Sequence, residues 1–576
     1  MMNFLTKLQS KRGSQEEQSS SNVNQEETIS ISGNPSKNKY ACNSVHETSA
    51  VFSLGAKEID FEQRKRKPLD LAIVLDKSGS MSGEKLSMCK ETVKFLLGQL
   101  QDDDKCALIA FDTNIEAHPF QKMTEEGKRT LDSTVDCVNA GSATNLSGGL
   151  FKAAEMMMEL KIQNDANEVQ SILLLTDGMA NVGISDTDLL IHELQTQISD
   201  MPALSIFTFG YGADHNDDML RAISDQGSGM YYYVEDEESI SVAFGSCLGG
   251  LLSVVAQNIS MSFETGDGSV SIEKVCTKSK VERMEERSGF STTVGDIFAG
   301  EKKDVVLKLK LEPVAEQCVM QAVVCQIDYF DVILESARSF QLILEVVRSE
   351  NDEDVIHNLE VIAATNRIIA AESMDEATKI AKEGRLTMER GWKRTTNMNL
   401  NRRGMTSQRK PAKKNKKSNS WIPKFAQSFL QSSNSSAPPP SLAFQPPPQT
   451  DNKINKDTMT EDDPLSRARG VLEQGIEQIS NTFTLLQGSE YLEAAKILVE
   501  DLEKCKESLR DQDSYMLEGK NLMNCAAQGH WKQRHNLSKL SSSNTRKKEM
   551  YQTVCSYGMQ EQADQHVRGK MLKKKF

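Results

Sequence analysis

The chain has 576 residues, enough for roughly three to five folding units of about 150 residues each. Its formal net charge of −14 and its pI near 5.3 argue against a protein built mainly to coat nucleic acid. Eleven cysteines without a Cys-x-x-Cys pair indicate neither a disulfide framework nor a zinc site. The amino terminus lacks the apolar core of a signal peptide, and no run of about 18 apolar residues occurs. We therefore expect a cytoplasmic protein without a membrane span.

Two segments precede the first strongly apolar strand. Residues 1–38 are rich in Ser, Gln, Asn and Glu. We expect them to form a disordered tail, because they have too little apolar surface to offset the entropy of ordering. Residues 39–67 are more apolar, which predicts one or two strands that complete a later β-sandwich, and they end in a basic linker.

Residues 68–257 alternate apolar strands with amphipathic helices. This order is typical of an α/β fold with a doubly wound, Rossmann-like sheet. Its first strand, Leu69–Leu75, is a short apolar run rich in branched residues, as expected of a strand that is buried on both faces of a parallel sheet.

Oxygen-bearing side chains follow the predicted strands. Asp76, Ser78 and Ser80 come directly after the first strand, Thr144 stands where a loop enters a helix, and Asp177 follows the strand 172–175. Because ligands bind at the carboxyl ends of the strands in such sheets, we expect these side chains to lie close together. Carboxylate and hydroxyl oxygens suit Mg²⁺, and also Mn²⁺ or Ca²⁺.

Only two of these five side chains are carboxylates, so a divalent ion held by them would attract one more anionic ligand. An Asp or Glu of a protein partner could supply that ligand. The alternative is that Ser78 and Ser80 only cap the helix that follows them.

The period of the apolar residues then changes twice. Short alternating segments predict an antiparallel β-sandwich, and later segments have helical spacing, with Gly384 as a predicted break. The predicted units are a sandwich at 258–349, a helical hairpin at 354–394, a basic and proline-rich disordered insertion at 395–463, a second helical hairpin at 464–535 and a helical or flexible tail at 536–576. We expect the two hairpins to form one helical unit.

The insertion leaves several functions open. Its basic stretch 409–417 is interpreted as a solubilising linker, or alternatively as a nuclear import signal or a contact for acidic lipid or RNA. Its proline runs at 438–440 and 446–448 predict polyproline II structure, which could bind an SH3 or WW domain.

Three motifs carry a family resemblance. They are Asp76-Lys-Ser78-Gly-Ser80, Gly-Ser-Ala-Thr144-Asn-Leu and Leu-Thr-Asp177-Gly. Together they resemble the metal-ion-dependent adhesion site of von Willebrand factor A domains, especially those of plant RING-finger ubiquitin ligases. The resemblance implies that Ser78, Ser80 and Thr144 bind Mg²⁺ directly, and that Asp76 and Asp177 act largely through bound waters.

The RING of the plant ubiquitin ligases is not found in this sequence. Cys42 and His46 are the only cysteine and histidine before Cys89, whereas a zinc RING needs about eight ligands in paired spacing. No phosphate-binding glycine motif follows a strand either, and we interpret His215 as a surface-loop histidine rather than a catalytic one. We therefore expect a non-enzymatic interaction protein. The rival hypothesis is a RING-less substrate-recognition subunit or relative of a ubiquitin ligase. A third is that the domain is only a scaffold and the basic insertion makes the functional contact.

Overall fold

The computed structural model describes residues 28–59, 66–284, 289–350, 354–403, 463–534 and 551–574. Most of the predicted tail and of the insertion, with its basic stretch and both proline runs, lies outside these residues. Within the described ranges, no helix combines the length and the apolar character that crossing a lipid bilayer requires.

The strands are numbered in chain order. They are β1 (Ile29–Pro35), β2 (Tyr40–Ala41), β3 (His46–Ala56), β4 (Leu69–Asp76), β5 (Lys105–Phe111), β6 (Ile115–Lys122), β7 (Val169–Thr176), β8 (Leu204–Tyr211), β9 (Ser228–Val234), β10 (Val254–Thr265), β11 (Val270–Cys276), β12 (Val281–Met284), β13 (Gly289–Phe298), β14 (Lys302–Leu311), β15 (Cys318–Asp331) and β16 (Ser336–Ser349).

The longer helices are numbered in the same way. They are α1 (Glu84–Gln99), α2 (Glu125–Cys137), α3 (Leu146–Ile162), α4 (Thr187–Ile198), α5 (Asp217–Gln226), α6 (Glu237–Leu251), α7 (Leu359–Arg403), α8 (Pro464–Ser480), α9 (Tyr491–Ser508), α10 (Lys520–Lys532) and α11 (Val554–Lys574).

The central domain is built on a six-stranded sheet in the order β6-β5-β4-β7-β8-β9. All strands are parallel except β6, which pairs antiparallel with β5. The side chains of β4 alternate between two apolar clusters, one shared with α3, α4 and α5 and the other with α1, α2 and α6. Helices therefore cover both faces, and the predicted doubly wound fold is confirmed.

The edge strand β6 was not predicted from the sequence. Its residues are exposed or half-buried along their whole length, so they give no apolar run, and Pro119 lies within it. Proline is compatible with an edge strand, because one side of that strand needs no hydrogen-bond donors.

Two antiparallel sheets form the sandwich. Their strand orders are β1-β3-β14-β11 and β12-β13-β10-β15-β16-β2, where only β2 is parallel to its neighbour. The predicted strand segment thus pairs with strands that follow the central domain in the sequence. The predicted tail boundary at residue 38 is wrong, because β1 lies in it and pairs with β3 from Ile29–Ala56 to Pro35–Ala50. Backbone pairing orders this polar segment despite its few apolar side chains.

The central domain is inserted into the sandwich at a single turn. Ala299 N donates to Ser253 O at 2.8 Å, and Gly300 N donates to Lys57 O at 3.2 Å. Lys57 lies where the chain leaves the sandwich, and Ser253 lies where it returns. The chain therefore enters and leaves the central domain beside the same turn.

The helices that flank the insertion pack as one unit, in which α7 contacts α8, α9 and α10. The hairpin predicted at 354–394 is wrong, because α7 is one helix that continues through Gly384. A glycine inside a helix costs about 1 kcal/mol relative to alanine, which weakens a helix without ending it. The fourth long helix of this unit, α10, was not predicted.

The helical unit is docked on the central domain at β9 and α5. We call this contact the docking surface, formed by Asp217, Arg221 and Tyr231 on one side and by Asn524 and Gln528 of α10 on the other. Tyr231 N donates to Gln528 Oε1 at 2.7 Å, and Arg221 Nη1 donates to Asn524 Oδ1 at 3.1 Å. Asn524 Nδ2 in turn donates to the buried carboxylate of Asp217.

The carboxyl-terminal helix α11 packs closely on α6. A Cβ atom added at Gly249 would lie 2.5 Å from Ser556 Cα, and one at Gly245 would lie 2.6 Å from Gln560 Cα. Only glycine allows backbones this close, so the last helix is part of the domain packing.

A buried ion pair connects the end of α10 to the sandwich. Arg534 Nε donates to Glu301 Oε1 at 2.7 Å, and Arg534 Nη2 donates to Asp296 O at 2.8 Å. The Arg534 guanidinium also lies 3.6 Å from the centre of the Phe298 ring. Both charged side chains are less than a tenth exposed, so each is the other's main compensation for burial.

Candidate functional site: a cluster of oxygen ligands at the strand ends

The first part of the site is the loop after β4. It folds over its own carboxylate, with Ser78 N donating to Asp76 Oδ1 at 2.8 Å. A 3₁₀ turn at Gly79–Met81 follows, and the fully buried Met81 side chain anchors it to the core. The turn places Ser78 Oγ 3.1 Å from Ser80 Oγ, so the two hydroxyls point to the same side of the loop.

The second part is the loop before α3. Backbone hydrogen bonds join it to the first loop, from Gly79 N to Ser142 O at 2.8 Å and from Gly141 N to Lys77 O at 2.6 Å. Thr144 is held from the other side, where its amide donates to Asn181 Oδ1 at 2.8 Å. Thr144 is therefore fixed at the junction of three loops.

The third part is the end of β7. Asp177 Oδ1 accepts a hydrogen bond from Ser80 Oγ at 2.8 Å, and Thr176 Oγ1 donates to Asp76 Oδ2 at 2.5 Å. A Cβ atom at Gly178 would lie 2.9 Å from Thr144 Oγ1 and 3.2 Å from Asp76 Oδ2. The structure thus brings together all five side chains singled out from the sequence, which we call the loop cluster: Asp76, Ser78, Ser80, Thr144 and Asp177.

The loop cluster combines four buried side chains with one exposed hydroxyl, that of Ser80. The Asp177 side chain is fully buried, and Asp76 is equally inaccessible. Burial raises the pKa of Asp76, and the nearby Asp177 carboxylate adds to the increase, whereas the hydrogen bonds from Thr176 and Ser78 oppose it. Two carboxylates in such surroundings favour a neighbouring cation.

Three further residues support the cluster and were missed in the sequence. Thr176 donates to Asp76, Asn181 holds Thr144, and the ammonium of Lys85 contacts Asp177 Oδ2. Lys85 carried a usable signal, because it is a cation in the first turn of α1, where the helix dipole disfavours positive charge.

The interpretation of His215 as a surface-loop residue is wrong. His215 is buried, with Nδ1 2.6 Å from Gly212 O and Nε2 2.5 Å from Tyr231 OH. Burial lowers its pKa, so the neutral ring is favoured. Its two ring contacts connect the loop after β8 to β9, which is a structural role.

The ligand chemistry of the loop cluster fits a hard divalent ion. All the atoms that could bind a metal are carboxylate or hydroxyl oxygens, which suit Mg²⁺, Mn²⁺ or Ca²⁺. Gly178 leaves free the space between Thr144 Oγ1 and Asp76 Oδ2 that a side chain would fill. No group of three or more His, Cys, Asp or Glu side chains in the described ranges is arranged to hold a metal. The loop cluster is a different ligand set, with two carboxylates and three hydroxyls.

Comparison with known proteins identifies the central domain. The family model for the von Willebrand factor type A domain matches residues 70–245. The chain is 28% identical over 276 residues to the E3 ubiquitin-protein ligase WAV3 of Arabidopsis thaliana, covering 46% of this chain and 34% of the ligase. It is 27% identical over 247 residues to the uncharacterized protein YfbK of Escherichia coli, covering 42% of each chain. The chain therefore spans less than half the length of these two relatives.

A solved structure supports the same fold. The von Willebrand factor type A protein from Catenulispora acidiphila superposes with a TM-score of 0.51 at 16% identity, over 63% of this chain and 84% of that one. The strand order, the helices on both faces and the matched family model lead to one conclusion: residues 70–245 of this chain form a von Willebrand factor type A domain.

Proposed function

We propose that this chain binds an acidic side chain of a partner protein through a divalent metal ion, Mg²⁺ in the first place, held by Asp76, Ser78, Ser80, Thr144 and Asp177. The observation that carries the proposal is the convergence of these five side chains, which come from three separate loops, on one cluster of oxygen atoms. When bound, the metal would supply an open coordination position for an anionic ligand.

The chain's own residues prepare the site for that role. The hydrogen bond from Ser80 to Asp177 and the hydrogen bonds from Thr176 and Ser78 to Asp76 fix both carboxylates. The three hydroxyls contribute no charge, so the cluster does not fully neutralise a divalent ion. Binding rather than chemical conversion is the function that this arrangement supports.

Metal binding can be tested with a double substitution. We expect Ser78→Ala combined with Ser80→Ala to abolish Mg²⁺ binding measured by calorimetry, and the folded state to persist in a thermal melt. Ser82→Ala combined with Ser87→Ala is the matched control. Both side chains are exposed, Ser82 in the same loop just before α1 and Ser87 in the first turns of α1. Undiminished binding by the first variant would falsify the assignment of the site.

Partner binding needs a separate experiment. We expect a carboxylate to reach the bound ion, so a Glu-containing peptide added to the Mn²⁺-loaded chain should reduce the water relaxation enhancement caused by Mn²⁺. A peptide with Gln in place of Glu is the control. Equal responses to the two peptides would exclude recognition of an acidic group at the metal.

The similarity to the Arabidopsis ligase favours a second candidate function. In it, the chain contributes substrate recognition to ubiquitination while another protein supplies the catalytic module. We propose that the chain alone forms no ubiquitin chains with activating enzyme and a panel of conjugating enzymes. Ubiquitin chain formation that is lost on deleting residues 464–576 would overturn this expectation and favour a ligase.

Pull-downs with Mg²⁺, with EDTA and with Asp76→Ala separate the remaining alternatives. Conjugating enzymes retained in the Mg²⁺ sample would favour the ubiquitination role. Partners unchanged by EDTA would favour the third hypothesis, in which the domain is a scaffold and the basic insertion makes the contact.

A further inference from the structure

We propose that Lys85 is a built-in counter-cation of the loop cluster, which competes with the divalent metal for Asp177 and so sets the metal concentration at which the site fills. The inference rests on the proposed metal site and adds to it a residue that no ligand motif includes. Lys85 would act on binding through Asp177 rather than as a metal ligand.

The contacts of Asp177 lead to this inference. Its Oδ1 accepts the hydrogen bond from Ser80, and its Oδ2 contacts the ammonium of Lys85, so both oxygens have partners. The Asp177 side chain is fully buried. A buried carboxylate needs a compensating charge, and among the described residues Asp177 forms its ion pair with Lys85.

The path of the lysine side chain is an independent observation. Gly212, in the loop after β8, has a φ of +73°, and a Cβ atom there would lie 3.3 Å from both Cε and Nζ of Lys85. A glycine at this position therefore leaves the room that the end of the Lys85 side chain occupies. The Lys85 side chain is 34% exposed, so the ammonium can withdraw towards solvent without unfolding its surroundings.

The position of Lys85 in its helix is also informative. It is the second residue of α1, at the end where the helix dipole repels cations. A lysine in this position is unfavourable unless a nearby anion compensates for it. Asp177 is that anion, so Lys85 and the site depend on each other.

The net charge shows why the lysine should compete with the metal. Two carboxylates and one ammonium leave the site with a net charge of −1, and a divalent ion would change it to +1 if Lys85 stayed in place. Without the ammonium, the same ion would give a neutral site. Charges a few ångströms apart in a poorly solvated site interact strongly, so the ammonium opposes metal binding.

The test compares two lysine-to-methionine variants of the full chain. Lys85→Met and Lys90→Met remove the same charge from the same helix, but Lys90 Nζ contacts Asp136 O at 2.9 Å, away from the cluster. We expect Lys85→Met to bind Mn²⁺ about tenfold or more tightly than the wild type, measured by electron paramagnetic resonance at fixed ionic strength. Lys90→Met should bind like the wild type.

A second variant covers the case in which Lys85→Met folds poorly without metal. Lys85→Gln keeps a hydrogen-bond donor beside Asp177 but carries no charge, and it should also bind Mn²⁺ more tightly. Equal or weaker binding by the folded charge-neutral variants overturns the role of Lys85 and leaves the metal site standing. Failure of the wild type and of both Lys85 variants to bind Mn²⁺ overturns the proposed function itself.

Discussion

The loop cluster and the docking surface are both made largely of buried polar side chains, but they differ in how their charges are balanced. At the docking surface, carboxylates, amides and a guanidinium pair with one another, as Asn524 does with both Asp217 and Arg221. In the loop cluster, two carboxylates and three hydroxyls crowd together with one ammonium. Every carboxylate oxygen of the cluster has a partner, but two negative charges face only one positive charge. The comparison indicates that a surplus of negative charge marks a site for an outside cation, whereas balanced charges mark an internal contact.

The largest expected effect comes from breaking a buried contact whose charges are balanced, the Arg534–Glu301 ion pair. Arg534→Met leaves the Glu301 charge buried without its partner, which we expect to lower the free energy of unfolding by about 3–5 kcal/mol. Denaturant unfolding measures the loss. Metal binding at the loop cluster should persist under native conditions, because Arg534 makes no contact with it among the described residues.

A double variant provides the control for Arg534. Adding Glu301→Gln removes the unpaired charge, so the pair Arg534→Met and Glu301→Gln should recover most of the lost stability. Equal instability of the single and the double variant would show that shape, rather than charge, makes the contact.

Asp70, near the end of β4 opposite the loop cluster, provides a second buried carboxylate to compare with Asp76. It is a buried carboxylate that accepts two hydrogen bonds from Asn167, from N and from Nδ2, each at 2.7 Å. Burial raises the pKa of Asp70 from 3.8 to about 6. Because this folded-state pKa lies above the unfolded value, the stability contributed by the proton is complete below about pH 3.8 and is lost as the pH rises through 6.

Asp70→Asn removes that pH dependence. Between pH 4 and 6 we expect the wild type to lose at most about 3 kcal/mol relative to the variant, measured by urea unfolding. A hydrogen bond lost in the variant would shift its stability equally at every pH. The exposed Asp102→Asn is the charge control, and parallel pH curves for wild type and Asp70→Asn would contradict the expectation.

A glycine pair tests the close contact between α6 and α11. Gly249→Ala should destabilise the chain by about 1–3 kcal/mol, because its Cβ would meet the backbone of Ser556. The exposed Gly98 in α1 has no neighbour that a Cβ would reach, so Gly98→Ala should stabilise by about 0.4–1 kcal/mol. A thermal melt of Gly249→Ala that shifts upward, as expected for Gly98→Ala, would show that α11 does not hold α6 closely.

The smallest expected effect comes from an exposed ion pair, which serves as the reference for the buried Arg534–Glu301 pair. Lys152 and Glu155 lie 2.8 Å apart on the exposed side of α3, almost the same distance as in the buried Arg534–Glu301 pair. Lys152→Ala should change the free energy of unfolding by no more than about 0.5 kcal/mol, since water screens the pair. A loss close to that of Arg534→Met would mean that burial is not what separates the two pairs.

The sequence predicted the loop cluster because each of its residues lies next to a recognisable strand or helix end. Asp76 and Asp177 follow fully buried apolar strands, and such strands end at the same edge of a parallel sheet. The central fold was predictable for the same reason, since apolar strands and amphipathic helices alternate along it.

The docking surface could not be predicted in this way. Gln528 contacts Tyr231 across 297 positions, and neither residue belongs to a local pattern that indicates a partner. The apolar residues of α10 indicate burial but not what buries them. Lys85 belongs to no ligand motif; its place in the first turn of α1 indicates a nearby anion, but only the structure shows that this anion is Asp177 at the end of β7.

The insertion of the central domain into the sandwich has a consequence for synthesis on the ribosome. Strand β3 pairs with β14, which is made roughly 250 residues later, or about 10–50 s later at usual elongation rates. During that interval Val51 and Phe52, which are fully buried in the finished fold, can pair with β1 on one edge but lack their partners in β14 on the other. The central domain is continuous in the chain and can fold meanwhile. Translation halted just after it would therefore leave a folded domain attached to a β1–β3 pair whose apolar strand still lacks its neighbour β14.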